Sequence, residues 1–336
     1  MASARKPPKP LNLPSPLVLP DPAGAIEFGA SLDALRQLFL VQALLATVKT
    51  LDLNVLNAEL AQYVPAHRLQ EMAGVGLRAE IVYPVPCLIE ANPRLIAYYR
   101  LLLGYSAKRL YRMNSPLGPF ETLEKKGVIN PRLRPHIPTI CSAMIASAEK
   151  LVDGLGIQRI TRELLDDLQL LTLGSQLQGA RNVAIGMAGM HAVRLIIEDI
   201  VAPYITKSDA NSIVLTNSAG RTVTIRIGAD PDVRIEEKVG RNVKRTLSIE
   251  VKAGEDNSNI YNRLGEAEKS HNKAKKKGFT EFWTIVNTSN IDLVKARVQT
   301  PTTNEFFLLR LLKDKSTPEY ADFRQRIEAL CGIPTT

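Results

Sequence analysis

Cysteine is scarce in this chain of 336 residues. Its three cysteines, Cys87, Cys141 and Cys331, are far apart and odd in number, so they form neither a disulfide framework nor a zinc-binding pattern. Long apolar runs are also missing, because no stretch approaches the roughly 18 uninterrupted apolar residues of a membrane span. The N-terminus lacks the apolar core of a secretory signal. We therefore expect a cytoplasmic protein with reduced thiols and no membrane partner.

The chain does carry an excess of positive charge, +9 with a pI near 9.4. Residues 221–280 hold 14 Lys and Arg against 9 Asp and Glu. Clustered basic side chains attract polyanions, because each phosphate contact releases bound counterions. The charge favours a nucleic acid partner, although a solvated basic surface has the same composition.

The first 200 residues have mostly helical periodicity. Residues 1–25 are rich in proline and predict an extended arm. Apolar residues spaced by three and four predict helices at 31–64, 93–111, 138–153, 161–173 and 192–204. Within them, Tyr98, Tyr99 and Tyr105 are more typical of helix packing than of base stacking. We expect a helical N-terminal region over residues 26–180.

After Ser208 the pattern changes to β-branched runs with two-residue alternation. It predicts strands at 211–215, 222–227, 233–239, 246–252 and 281–286. Helices are predicted at 264–277, 305–313 and 318–330. This order predicts an α/β fold in residues 181–336, with a mixed β-sheet flanked by helices and Trp283 in its core.

Two acidic groups and a lysine follow the alternation of the central strands. Asp232 precedes one strand, and Glu250 and Lys252 lie at the end of the next. Side chains alternate between the faces of a strand, so Glu250 and Lys252 share one face. The opposite face then carries Leu247, Ile249 and Val251. Asp232 also faces away from the core by parity, so the three polar side chains converge.

This arrangement suits phosphodiester hydrolysis. Mg²⁺ prefers hard oxygen ligands, which Asp232, Glu250 and the backbone carbonyl of Val251 can supply. Lys252 either orients the attacking water or stabilises the developing charge. Asp230 is the alternative to Asp232 as a ligand. Alternating surface charge without a function is the competing explanation.

Basic residues around this strand are candidates for binding DNA. Lys269 and Lys273 share a helix face, which suits either a phosphate track or a solvated surface. Arg263, just before that helix, can clamp phosphate or read guanine. Arg241 and Lys244 lie at a predicted hairpin tip and can contact the DNA backbone.

Pro231-Asp232 and Glu250-Val251-Lys252 resemble the PD-(D/E)XK nuclease motif. The runs from Glu250 to His271 and from Asn92 to Tyr105 are similar to the XcyI-type restriction endonucleases, and the resemblance extends from about residue 30. It implies a homodimeric, Mg²⁺-dependent type II restriction endonuclease that cleaves double-stranded DNA at a palindromic, GC-rich site. Members are associated with CCCGGG, cut after the first cytosine to leave 5′ overhangs.

Three further expectations follow, the first two of them implied by the resemblance and the third, on His271, drawn from the residues themselves. A methyltransferase of the same restriction-modification system is expected, without a stable complex. Glu198 is a candidate for the additional catalytic carboxylate that such nucleases take from a preceding helix, or else a surface partner of Arg194. His271 is structural or contacts DNA rather than acting as a general base. A repair or junction-resolving nuclease and a non-catalytic DNA-binding protein are the alternative functions.

Overall fold

The structure is a computed structural model that describes residues 22–112, 115–228, 230–254, 259–288 and 291–335. The chain divides into two compact units, residues 1–177 and 178–336. The sequence places the corresponding boundary between residues 180 and 181. Most of the proline-rich arm expected over residues 1–25 lies outside the described residues.

The first unit is helical, as its periodicity predicts. Its α-helices are α1 Ala23–Phe39, α2 Val41–Val48, α3 Leu53–Tyr63, α4 Ala66–Gly74, α5 Pro86–Ala91, α6 Leu95–Leu102, α7 Ala107–Tyr111, α8 Glu121–Lys126 and α9 Ile137–Leu155. The fully buried rings of Tyr98 and Tyr99 lie in its core. Their hydroxyls donate to the backbone oxygens of Ile81 and Glu80, at 2.8 and 2.7 Å. These tyrosines are packing residues.

The stretch Ala23–Val48 is long and apolar enough to cross a membrane by length and composition alone. Its second half, however, contributes buried side chains to the helical unit, namely Leu40, Val41, Ala43 and Leu44. The second half of the stretch thus packs into the helical unit, whereas no residue of α1 is buried.

Helix α10, Arg162–Val201, contains the division between the units, and the second unit is built on a seven-stranded sheet. Its strands are β1 Ile205–Asp209, β2 Ser212–Thr216, β3 Thr222–Ile227, β4 Val233–Val239, β5 Asn242–Lys252, β6 Glu281–Val286 and β7 Glu305–Leu308. They lie in chain order; β1 to β5 pair antiparallel, and β6 and β7 add in parallel. The remaining helices are α11 Ile260–Lys276, α12 Leu293–Gln299, α13 Leu309–Leu312 and α14 Pro318–Cys331.

Helices cover both faces of this sheet, so the α/β fold class is confirmed. The end of α10 contributes Val193 and Ile197 to a core shared with Ile249. Trp283 belongs to the same core and is 1% exposed, as predicted. Helix α11 packs on β5 from the other face and contributes its own apolar stripe.

Several elements differ from the sequence prediction. The helical segments predicted at 31–64 and 93–111 are divided into α1 to α3 and into α6 and α7, and α4, α5, α8 and α12 were not predicted. Residues 305–313 were predicted as a helix but form strand β7 followed by the short α13. The prediction was wrong because a continuous apolar run in a strand of a parallel sheet has no alternation to distinguish it from a helix. The two helices predicted at 161–173 and 192–204 are one helix, α10. Strand β1 is an exposed edge strand, so burial imposes no apolar pattern on it.

Candidate active site

Strand β5 sits between an antiparallel and a parallel neighbour, and its two faces have different roles. Leu247, Ile249 and Val251 lie in the core under the sheet. Glu250 and Lys252 have the opposite parity, so they face the α11 side. The predicted alternation of this strand is therefore confirmed.

Asp232 is held against the end of β5 by a backbone hydrogen bond. The N–H of Val251 donates to Oδ2 of Asp232 at 2.7 Å. Glu250 and Lys252 flank Val251 in the chain, and Nζ of Lys252 lies 2.9 Å from Oε2 of Glu250. The structure thus brings together the three side chains that the sequence groups as catalytic.

Burial dominates the electrostatics of the two acids. Glu250 is 3% exposed, and burial raises its pKa to about 7, with the Asp232 charge adding to the rise and Lys252 opposing it. Burial also raises the pKa of Asp232, while its hydrogen bond from Val251 and the charge of Lys252 act in the opposite direction. The two carboxylates are close enough to repel each other, so this site favours a cation between them.

Asp230 lies beside these acids but has a different partner. Its Oδ2 is 3.4 Å from Nζ of Lys273 on α11, and its Oδ1 is buried without a hydrogen-bond partner among the described residues. The charge of Asp230 contributes to the raised pKa of both Asp232 and Glu250. The backbone hydrogen bond that orients Asp232 favours Asp232 over Asp230 as the ligand.

The donor set fits a hard divalent cation. In the part of the chain that the structure describes, no three His, Cys, Asp or Glu side chains gather into a ligand cluster. Mg²⁺ does not require one, because it is commonly held by one or two carboxylates, with water and substrate phosphate completing its octahedron. Asp232, Glu250 and the carbonyl of Val251 match that pattern. A carboxylate as buried as Glu250 would be stabilised in its ionised form by such a cation.

A cavity of about 330 Å³ opens at the C-terminal end of β5. It is lined by residues of α10, of the strand end and of α11, namely Asn182, Ile185, Gly186, Val251, Lys252, Ala253, Gly254, Asn259, Arg263 and Glu266. Asn182, Gly186 and Glu266 were not singled out by any sequence pattern. Glu266 lies three residues after Arg263, one turn further along the helix, and that spacing is the signal that could have found it.

Two glycines allow close approaches around this cavity. The guanidinium of Arg263 lies where a side chain on Gly254 would be. Its NH1 is buried and has no hydrogen-bond partner among the described residues. A Cβ at Gly189 of α10 would overlap the Cβ of Ala253 at the end of β5. The orphan donor on Arg263 suits an anion such as a phosphate oxygen.

Glu198 is not brought to this site. Its Oε1 accepts from Oγ of Ser208 on β1 at 2.6 Å and lies 3.5 Å from NH2 of Arg194. Strand β1 is four places from β5, which is about 19 Å at the usual strand spacing. The apolar stripe of α10 also packs on the sheet face opposite Glu250. The ion-pair interpretation of Glu198 is therefore the one that the structure supports.

The candidate DNA-binding residues fall into two groups. Lys269 and Lys273 on α11 and Arg241 and Lys244 at the β4–β5 hairpin tip are exposed. His271 is fully buried, with Nε2 3.0 Å from Oγ1 of Thr284. No imidazole surface is left for DNA, so we do not retain His271 as a DNA contact.

Comparisons with known proteins agree with this geometry. A family model described as the XcyI restriction endonuclease matches residues 29–334. The chain is 43% identical over 320 residues to the type II restriction enzyme Cfr9I of Citrobacter freundii, covering 94% of this chain and 97% of that protein. It is 42% identical over 327 residues to the type II restriction enzyme XcyI of Xanthomonas campestris pv. cyanopsidis, covering 96% and 98%.

Proposed function

The chain belongs to the XcyI restriction endonuclease family and is a type II restriction enzyme, and from that premise we propose that it hydrolyses double-stranded DNA with Asp232, Glu250 and Lys252. The observation that carries this assignment is the buried carboxylate of Glu250, 2.9 Å from the Lys252 ammonium and next to the oriented Asp232. A non-catalytic DNA-binding role does not fit this family, and nothing in the fold favours a repair or junction-resolving nuclease.

Each catalytic side chain has a defined task. Asp232, Glu250 and the carbonyl of Val251 would hold Mg²⁺, with Oδ2 of Asp232 fixed by the N–H of Val251 so that Oδ1 is left for the cation. When bound, Mg²⁺ stabilises charge on the phosphate and lowers the pKa of water. Lys252 places a compact positive charge beside these acids, where it orients water or offsets charge on the scissile phosphate.

The DNA backbone follows the basic residues next to this strand end. Arg263 reaches the cavity at the end of β5, where its NH1, which has no partner among the described residues, can donate to a phosphate oxygen. Lys269 and Lys273 continue along α11, and Arg241 and Lys244 extend from the hairpin tip. These contacts carry affinity rather than sequence choice, since phosphates are the same at every base pair.

The recognition site and assembly follow from the family resemblance. The proposed target is the palindrome CCCGGG, cut after its first cytosine, and a homodimer would present two copies of the site to the two strands. The enzyme would act in the cytoplasm together with a methyltransferase of the same restriction-modification system, without a stable complex between the two.

Sequencing of fragment ends tests this function directly. The full chain is incubated with Mg²⁺ and two plasmids that are identical except that one has a single CCCGGG and the other a single-base change within it. Linear product only from the first, with ends after the first cytosine and none in EDTA, is expected. Discrete cuts at another sequence would replace the proposed site and leave the endonuclease. Absence of cleavage on every DNA would contradict the proposal itself.

A further inference from the structure

A chain of five polar side chains, four of them buried, runs between α11 and the sheet, on the face that carries the catalytic acids. It begins at Glu268, whose Oε2 accepts from Oγ1 of Thr300 at 3.0 Å. Oγ1 of Thr300 lies 2.7 Å from Oγ1 of Thr303, which lies 2.8 Å from Oγ1 of Thr284. The last link is the 3.0 Å contact between Thr284 and Nε2 of His271. We call these five side chains the relay.

The Glu268 end of the relay can only accept hydrogen bonds. Burial raises the pKa of Glu268, but the hydrogen bonds donated by Thr302, Thr300 and Asn272 outweigh it and lower the pKa below its usual value. Glu268 is therefore an ionised carboxylate, which has no proton to give. Each threonine hydroxyl of the relay has one hydrogen, so the direction of every link is determined from this end.

The direction of the hydrogen bonds in the relay determines the tautomer of the His271 imidazole. Thr300 gives its hydrogen to Glu268, so it accepts from Thr303. Thr303 in turn accepts from Thr284, and Thr284 accepts from Nε2 of His271. Burial lowers the pKa of His271 to about 4, with the Glu268 charge opposing this shift and the Lys252 charge adding to it, so the ring is neutral. His271 therefore carries its proton on Nε2 and a lone pair on Nδ1.

The imidazole end of the relay lies on the sheet face that carries Glu250. Thr284 is the Cα partner of Glu250 in the β5–β6 pairing, so their side chains share a face. The Lys252 charge is close enough to act on His271. Among the described residues, neither Nδ1 of His271 nor Oγ of Ser248 has a hydrogen-bond partner, although both are buried. The relay thus ends at His271, within range of the Lys252 charge, and no described residue continues it beyond Nδ1.

We propose that the relay is a positioning device for Glu250 and Lys252. It keeps His271 as the neutral Nε2–H tautomer, so the buried ring within range of the Lys252 charge has a lone pair on Nδ1 and carries no additional proton. A reversed relay would place a buried N–H at Nδ1, for which the described residues supply no acceptor. Glu268 and His271 are positioning residues that touch neither DNA nor the reacting atoms. The effect on cleavage rests on the proposed function, whereas the tautomer does not.

Nitrogen NMR of the imidazole rings gives a readout independent of activity. The chain has four histidines, so selective ¹⁵N-histidine labelling and one His271→Asn spectrum assign the His271 signals. Thr303→Val removes the central hydroxyl, and Thr303→Ser restores it. Thr302→Val is the matched control, because Thr302 also donates to Glu268 but passes nothing on to the relay.

The wild type, Thr303→Ser and Thr302→Val are expected to show a protonated Nε2 and a bare Nδ1, and to cleave at the same single-turnover rate. Thr303→Val should lose this signature and cleave about tenfold more slowly at saturating DNA, the scale of one buried hydrogen bond left unmade. Its Kd for DNA should not change. In Glu268→Gln, the new amide can donate to Thr300 and so reverse the relay, which should move the imidazole proton of His271 to Nδ1. This variant is the second test of the relay if Thr303→Val does not fold.

Two results would overturn the inference. The first is a protonated Nε2 that persists in both Thr303→Val and Glu268→Gln. The second is a changed tautomer with an unchanged single-turnover rate. If the wild type cleaves no DNA, the proposed function fails instead, and the ring signals still decide whether the relay sets the tautomer.

Discussion

The backbone N–H of Val251 donates to the carboxylate of Asp232 across 2.7 Å. This bond joins the start of β4 to the end of β5, and so places one acid of the site relative to the other. Charge-assisted hydrogen bonds of this kind are among the stronger ones in proteins. This bond ties the Asp232 carboxylate to the strand that carries Glu250 and Lys252, so the pairing of β4 with β5 determines how the three side chains are placed relative to one another.

Removing either acid should abolish cleavage and leave DNA binding. We expect Asp232→Asn and Glu250→Gln to lower single-turnover cleavage by at least about a thousandfold, the scale of losing a main catalytic group. Mobility-shift titration should give a Kd within a few-fold of wild type. Asp230→Asn is the matched control, because Asp230 pairs with Lys273, and it should retain cleavage. Near-normal activity of both Asp232→Asn and Glu250→Gln would remove the assignment.

Lys252→Ala should be almost inactive for a different reason. The ammonium lies 2.9 Å from Glu250, so its removal takes away a charge at the reaction centre and leaves both oxygen ligands in place. The Mg²⁺ concentration that half-saturates DNA binding should change less than in Glu250→Gln. Lys238→Ala, on the neighbouring strand β4, controls for loss of a positive charge. Full cleavage by Lys252→Ala would show that the motif has been misplaced.

Lys269→Ala should weaken binding to every DNA sequence equally. A phosphate contact releases about one counterion, so the slope of log Kd against log salt should fall by about one. Lys275→Ala is a control on another side of α11, with a similarly exposed side chain. The slope is measured by fluorescence anisotropy between low and moderate salt. Equal slopes for wild type and Lys269→Ala would exclude the phosphate track.

Glu250 should make the metal-free protein less stable as pH rises. Its folded pKa, about 7, is above its ordinary value of 4.5, so the folded state binds the proton more tightly, and stability is lost between those values. The buried, neutral His271 acts in the opposite direction, gaining stability as pH rises from about 4 to 6.5.

The variant Glu250→Gln separates these two contributions. In EDTA, its unfolding free energy relative to wild type should increase from pH 4.5 to pH 7, by at most about 3 kcal/mol. Urea titration across that range measures the difference. A difference that stays constant with pH would mean that the Glu250 carboxyl is not desolvated.

Glu198→Ala should retain cleavage within about twofold. Glu198 pairs with Arg194 and Ser208 at the far end of the sheet, so its loss removes a partly exposed ion pair worth at most about 1 kcal/mol. A loss of activity comparable to that of Asp232→Asn would restore Glu198 to the catalytic machinery.

The two faces of β5 could be predicted from the sequence because alternation leaves few choices. Leu247, Ile249 and Val251 must share the core, and this forces Glu250 and Lys252 onto the other face. Glu198 could not be judged in this way. Its helix has a clear apolar stripe, but a stripe does not say which face of which sheet it covers.

His271 shows a second limit. A histidine among lysines in the sequence resembles a binding residue, since local composition does not reveal burial. Its partner Thr284 comes from β6, which reaches β5 only through the parallel crossover. Contacts of that kind depend on tertiary pairing and not on local pattern.

Because Gly189 has no side chain, α10 approaches Ala253 closely, next to the strand end that carries Lys252. Any larger residue there would press the backbone of the reaction centre away from the helix. The position of the strand end that carries Lys252 thus depends on a residue with no side chain and no chemistry of its own. Selection can retune such an enzyme through its scaffold while every polar group stays unchanged.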